Sequence, residues 1–307
     1  MTPIVSFIVT YHNEPEEFLT ACLKSIRALP LSAEEAEIIV VDDGSNGLPS
    51  CLQGERLIRQ KQAGLSVARN TGIEASCGRY IQFVDADDQL IPSAYEAVLG
   101  HLRKGDADVV LFKPTSREKT ISNQDPSNYL HKGETSSISL QEGCGGSFPP
   151  TSGPDFLQSR NLRAAAWGYA FRRDVLDGLR FFPGLLHEDE LFTPQLFLKA
   201  KTLVELDAKA YFYRQHADTI THTKSSDKVR KRLDDIHLVL RELQALQCST
   251  LQRRIRQLTV DYLQKTWTLT RSPKELRRRI RELRQEGFLP LPPKRYSLRY
   301  FLFSLFV

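Results

Sequence analysis

Three short runs of strand-forming residues, at 4–10, 37–41 and 79–84, break off on polar or acidic side chains, and this pattern limits the possible folds more than any other feature of the chain. They read Ile-Val-Ser-Phe-Ile-Val-Thr, Glu-Ile-Ile-Val-Val and Arg-Tyr-Ile-Gln-Phe-Val. A strand with one wet face alternates in polarity, whereas one covered on both faces is apolar nearly throughout. Between the first two runs, residues 16–29 place Phe18, Leu19, Cys22, Leu23 and Ile26 at helical period before Pro30. Strand, helix, strand is a βαβ unit, and it predicts an α/β fold with a parallel sheet.

Ligands of open α/β sheets bind beyond the carboxyl ends of the strands. Here the second run passes into Asp42-Asp43-Gly44-Ser45 and the third into Asp85-Ala86-Asp87-Asp88. Asp85 and Asp87 are two apart, so in extended chain they share one side. Such a pair can hold a hard divalent cation, Mg²⁺ or Mn²⁺, and leave positions for substrate phosphates. Taken singly, an acidic turn closing a strand explains either motif equally well.

The remaining elements follow the same reading. Residues 57–60 form a short strand, 64–75 a glycine-led helix with Leu65, Ala68 and Ile73 apolar and Arg69 polar, 92–103 a helix and 108–112 a strand. Residues 113–154, rich in Ser, Thr, Gly, Asn and Pro, predict a flexible loop or lid. Order resumes over 156–171, which carries Trp167. A third acidic group, His187-Glu188-Asp189-Glu190, opens a helix with Leu191, Phe192, Leu196 and Phe197 at helical spacing. A last strand lies within 202–213, and the polar loop that follows carries His216 and His222.

Composition bounds the class. With 41% hydrophobic and 26% charged residues in 307, the chain can build a full core plus an appendage. No apolar run is long enough to span a bilayer, and no basic segment followed by an apolar one suggests a secretory signal at the N-terminus. The five cysteines are scattered, as in a reducing compartment. Charge divides the chain: residues 228–307 hold 19 Lys and Arg against 7 Asp and Glu, leaving 23 against 30 before them. The expected organisation is a catalytic domain over 1–227 and a basic helical extension over 228–307.

Five segments in order, Val5-Ser-Phe-Ile-Val-Thr-Tyr-His-Asn-Glu14, Ile39-Val-Val-Asp-Asp-Gly-Ser45, Gly64-Leu-Ser-Val-Ala-Arg-Asn-Thr-Gly72, Gly78-Arg-Tyr-Ile-Gln-Phe-Val-Asp-Ala-Asp-Asp88 and His187-Glu-Asp189, resemble the family 2 glycosyltransferases. The resemblance covers about residues 3–222. It implies the GT-A nucleotide-sugar-binding fold and an inverting transfer of a sugar from a nucleotide donor, UDP-linked, to a glycan or lipid-linked acceptor in cell-surface polysaccharide synthesis. It implies that Thr10, His12 and Glu14 belong to the loop lining the nucleoside pocket. Asp43 would accept from the base, and Arg69 would lie near the base or diphosphate. Asp85 would serve the ribose and the metal shell, Asp87 the metal directly, with His216 as a further ligand. Asp189 matches the general base, with Glu188 beside it.

Plainer roles stay open at several positions. Asp42 can tie the loop backbone, Arg69 can pair one of the acids, and Glu188 can be a helix-start charge. His216 and His222 can be surface residues, and Trp167 can be core as readily as an acceptor platform. Two departures from the family pattern matter. Tyr169 stands where many members carry lysine, and His12 where tyrosine is common.

For the basic tail three readings compete: a packed helical bundle with a basic outer face, attachment of residues 271–307 to an anionic membrane surface, and, last, nucleic-acid binding, against which no recognised module is present. The expected site of action is the cytoplasm, peripheral on the inner face of the plasma membrane. Two rivals to the transferase are a sugar nucleotidylyltransferase and an inactive sugar-nucleotide- or glycan-binding protein. The first would want a glycine-rich basic loop after the first strand, where the chain reads Thr10-Tyr-His-Asn-Glu-Pro15. The second would have no use for Asp85, Asp87 and Asp189 together.

Overall fold

The computed structural model describes residues 2–116, 148–215 and 226–304. Eight strands, β1 (Val5–Tyr11), β2 (Ala36–Asp42), β3 (Arg56–Arg59), β4 (Tyr80–Asp85), β5 (Gln89–Leu90), β6 (Val109–Thr115), β7 (Tyr169–Arg172) and β8 (Leu203–Phe212), make one sheet in the order β3-β2-β1-β4-β7-β6-β8-β5. The first four in that order are parallel. Beyond β4 the sheet is mixed, because β7 pairs antiparallel with both β4 and β6 while β6 and β8 run parallel.

Side-chain alternation in β1 decides which helices cover which face. Val5, Phe7, Val9 and Tyr11 pack with Leu19, Leu23 and Ile26 of α1 (Glu16–Arg27) and with Tyr95, Val98 and Leu102 of α3 (Pro92–Lys104). Ile8 points the other way, into a core with Ala68 and Ile73 of α2 (Leu65–Ala75). That approach is close: a Cβ on Gly72 would fall 2.3 Å from Ile8 Cγ2, so only glycine lets α2 sit this low on the sheet.

The core around Ile8 continues without a break into the C-terminal helices. It takes in α4 (Gly153–Ser159), α5 (Asp189–Lys199), α6 (Ser226–Ala245), α7 (Gln252–Thr270) and α8 (Pro273–Gln285), through Phe156, Phe192, Leu240, Leu258 and Leu283. A last helix, α9 (Leu298–Ser304), leans on α7. The residues after 226 therefore pack as a helical layer whose apolar face is shared with the sheet domain. Two of their arginines are interior: Arg279 and Arg254 are 1% and 6% exposed. Tyr300 is also buried, its hydroxyl donating to the Pro292 carbonyl, so this ring is a packing residue and not an outward anchor. No helix among the described residues is long and apolar enough to cross a membrane.

Within 113–154, residues 113–115 extend β6, Thr151 bridges to Leu203, and α4 begins at Gly153. The rest of that expected loop, 117–147, lies outside the described residues.

Candidate active site

Parallel register sets the carboxyl ends of β1, β2 and β4 side by side. Thr10 pairs with both Val41 and Asp85, and Tyr11 with Asp42. The turn after β4 closes through the Asp88 N–H donating to the Asp85 carbonyl at 3.0 Å. The end of β8 clamps it: Arg214 N–H donates to Asp88 Oδ1 at 2.8 Å, Arg214 Nε donates to the Asp87 carbonyl at 2.9 Å, and the Tyr211 hydroxyl accepts from Asp85 N–H at 3.1 Å. The turn holds three carboxyls in one place. Burial, then Asp85 and Asp87, push the Asp88 carboxyl far above the usual range. Burial also raises Asp85, with Arg69 opposing and Asp87 adding to the rise.

The loop after β1 folds back on itself. His12 Nδ1 lies 2.8 Å from the Asp43 carbonyl, which can only accept, so Nδ1 carries the proton. Nε2 is left as an acceptor beside the Gln62 amide at 3.0 Å. Glu14 accepts the His12 N–H at 2.5 Å, and burial raises its carboxyl, as do Asp87 and Asp85 nearby. Asp43 is engaged on both oxygens. Oδ1 accepts from Ala63 N–H and the Gln60 amide, and Oδ2 from Gly64 N–H at 2.8 Å, which fixes the loop leading into α2. Asp42 does the same nearer home, accepting Ser45 N–H at 2.8 Å.

Arg69 links the acidic turn to the third acidic group. It is 3% exposed and sits over the paired rings of Phe83 and Phe181, 5.7 and 5.3 Å from their centroids. Its guanidinium donates to Glu188 Oε1 at 2.5 Å and to Asp85 Oδ1 at 3.1 Å. Burial works against the charge, but Asp85, Glu188 and Asp189 outweigh it and hold the group protonated. Sequence periodicity puts Arg69 on a polar face; the structure puts it inside, where two carboxylates replace water.

Asp189 is half-buried at the first position of α5, after His187 at φ 66° turns the chain into the helix. Burial raises its carboxyl well above the usual range, with Glu188 and Glu190 adding and Arg69 opposing. The C-terminal helices hold this turn from outside. Asp235 accepts Leu186 N–H at 2.8 Å, Lys231 donates to the Gly184 carbonyl at 2.9 Å, and Arg254 is ion-paired with Glu190 and donates to the Leu162 carbonyl. None of these three was singled out in the sequence. Arg254 left a trace there, since it falls on the buried stripe of Leu251, Ile255 and Leu258.

A cleft of about 730 Å³ opens beside Asp189, lined by Trp167, Tyr213, Arg163, Glu190, Arg254 and Asp261. Tyr169 does not reach it: its ring is fully buried and its hydroxyl pairs with Thr193 at 2.9 Å, so no phosphate contact comes from this position.

A divalent cation fits the acidic turn on charge and donor type. Asp87 and Asp85 raise the Glu14 carboxyl, Asp87 raises Asp85, and Asp88 Oδ2 is buried without a hydrogen bond. Among the described residues there is no group of three or more His, Cys, Asp or Glu that could hold a metal by itself. Two carboxylates completed by substrate oxygens is the donor set left, and it suits Mg²⁺ or Mn²⁺. His216, expected as a further ligand, and His222 lie outside the described residues.

Residues 6–178 match the family model described as glycosyl transferase family 2. The chain belongs to that family. Its fold is the GT-A fold of these glycosyltransferases. The Escherichia coli (strain K12) protein named uncharacterized glycosyltransferase YibD is 30% identical over 238 residues, covering 71% of this chain and 63% of that protein. Staphylococcus aureus TarS, named poly(ribitol-phosphate) beta-N-acetylglucosaminyltransferase, is 25% identical over 222 residues, covering 68% of this family 2 chain and 35% of TarS. The crystal structure of TarS 1–349 in complex with UDP-GlcNAc superposes with TM-score 0.60 at 18% identity, covering 86% of this chain and 72% of that one. A mannosyltransferase from Pyrobaculum calidifontis in complex with GDP-Man and Mn²⁺ gives TM-score 0.55 at 14% identity, covering 99% and 86%.

Proposed function

We propose that this family 2 chain is an inverting glycosyltransferase that moves a sugar from a nucleoside-diphosphate donor, UDP-linked, to a glycan or lipid-linked acceptor in cell-surface polysaccharide synthesis. One observation carries the reading. Arg69 ties the acidic turn of β4 to the Glu188-Asp189 turn, so that two acidic sites of different burial stand at one sheet end. In this reading the β1 loop with Thr10, His12 and Glu14, and the loop fixed by Asp43, cradle the nucleoside. Asp85 and Asp87 hold the divalent cation, which when bound supplies positive charge for the leaving diphosphate. Asp189 takes the proton of the attacking acceptor hydroxyl, and Glu188 with Arg69 keeps it aimed. Attack from the face opposite the leaving group is a single displacement, so the anomeric centre inverts and no residue need bond to the sugar.

Calorimetric titration of UDP, GDP and UDP-sugars, with and without Mn²⁺, tests the donor site. Binding that strengthens with Mn²⁺ and is lost in Asp87→Ala is the expected result. Absence of nucleotide binding under every metal condition removes the donor reading.

The outer face of α8 supports a membrane-surface location. Lys274, Arg277 and Arg281 are exposed and spaced three and four apart, and Leu298, farther along the chain, is 76% exposed. In the proposed reading this face lies on anionic lipid. Co-sedimentation with phosphatidylglycerol vesicles should be abolished by reversing those three charges; retention would sink the idea.

A further inference from the structure

The cleft beside Asp189 has one wall from the sheet and one from the C-terminal helices. On the sheet side the Trp167 indole lies flat against Tyr211 and Tyr213, with centroids 4.5 and 5.9 Å away and planes 13° and 21° apart. The two tyrosines are two residues apart, and both stack on the indole. The Trp167 carbonyl is pinned by the Gln82 amide at 3.0 Å, and Gln82 in turn by the Tyr95 hydroxyl at 3.2 Å. Trp167 is thus a stiff aromatic plate, and it lines the cleft.

The facing wall is polar. Arg254 and Asp261 stand seven residues apart on α7, two turns along one helix face. Both are held in place, Arg254 by Glu190 and the Leu162 carbonyl, Asp261 by Arg299. The cleft, at about 730 Å³, falls in the size range of small-ligand sites. An aromatic plate, fixed hydrogen-bonding groups and a carboxylate lining one cleft match a pyranose, which offers an apolar C–H face and a rim of hydroxyls.

We infer that this cleft is an acceptor subsite for a saccharide whose ring stacks on Trp167 and whose hydroxyls are read by Arg254 and Asp261 of the C-terminal layer. The inference rests on the glycosyltransferase reading and names its acceptor class: a sugar ring at the accepting end, whatever carries it. It also gives residues 226–304 a part in substrate choice.

The chain has two tryptophans, and Trp267 is not among the cleft-lining residues, so Trp267→Phe leaves Trp167 as the sole indole reporter. The single-tryptophan protein is titrated with methyl β-glycosides of glucose, galactose, N-acetylglucosamine and N-acetylgalactosamine and with their β-1,4-linked disaccharides, in the presence of Mn²⁺ and UDP. At least one saccharide should change the emission saturably and, with the matching UDP-sugar, accept transfer at a KM near the midpoint. Trp167→Ala in the otherwise wild-type protein should raise that KM at least tenfold with kcat within twofold and nucleotide affinity unchanged. Trp167→Tyr, which keeps a plate, should restore most of it. A saccharide that is glycosylated yet leaves the Trp167 emission unmoved overturns the subsite, as does an unchanged KM in Trp167→Ala. Silence across the panel with UDP still bound also overturns it, whereas loss of UDP binding itself would count against the donor site instead.

Discussion

Replacing Arg69 by Met removes the charge at the centre of the site and keeps much of the side-chain volume. Two carboxylates lose their partner, Asp85 with a side chain 27% exposed and Glu188 at 9%. Breaking a buried ion pair from one side costs about 3–5 kcal/mol, because the remaining charge is stranded. Here two charges are stranded, but Asp85 is partly wet and both can take up protons, which caps the loss near that range. Loss of the contacts with Phe83 and Phe181 adds about 1 kcal/mol more. At about 2 °C per kcal/mol for a chain of this size, the melting temperature should fall by roughly 8–12 °C at pH 7.5. The sign of the pH dependence is distinctive. Burial already raises the Asp85 carboxyl against the opposing Arg69, and without Arg69 it rises further above its unfolded value, so the folded state binds more protons and the variant loses stability as pH rises. Its deficit should therefore shrink as pH is lowered from 7.5 toward 5. Urea denaturation of wild type and variant across that window checks both points, and adding Glu188→Gln should recover part of the loss. A deficit below about 1 kcal/mol, or one that does not change with pH, refutes the argument that these two acids depend on Arg69.

Three further outcomes follow from the same geometry. Burial, Glu188 and Glu190 raise the Asp189 carboxyl against the opposing Arg69, so a base at this position is protonated and idle at the pH where a solvated Asp works. The acid limb of kcat/KM should lie above the usual carboxylate range, activity falling as pH drops through the raised value, and Asp189→Asn should lower kcat by about 10²–10⁴ while nucleotide titration is unchanged. Arg254→Met strands Glu190 between α5 and α7 and should cost about 3 kcal/mol in chemical denaturation, most of it recovered in the double variant with Glu190→Gln. Gly72→Ala puts a methyl into Ile8 and should destabilise by about 1–3 kcal/mol, a loss that Ile8→Val partly reverses.

Much of this was written in the local sequence. The three apolar runs became β1, β2 and β4, with the acidic residues at the ends of β2 and β4, because strand burial and helix period are short-range properties. Arg69 shows the limit. The sequence left it either near the donor or paired with one of the acids, and its partners Asp85 and Glu188 are 16 and 119 residues away, a pairing that no local pattern specifies. Asp43 shows it again: both oxygens accept from residues 60–64, a loop whose return to β2 only the fold reveals. The strand β7, antiparallel between β4 and β6, is equally non-local, since its partners lie about ninety and about sixty residues back along the chain. The C-terminal helices announced themselves by charge, which describes a surface. Their share of the core and their hold on the Asp189 turn lie in the apolar stripe and in single residues such as Asp235.

The family match stops at residue 178, and Asp189 and both α7 residues of the cleft lie beyond it. The two sides of the site thus belong to different elements: the strand-end acids close β2 and β4, while the far wall of the cleft stands on α7. Exchange of residues 226–304 between relatives, or mutation confined to the α7 face, offers such a chain a route to a new acceptor that leaves the strand-end acids untouched.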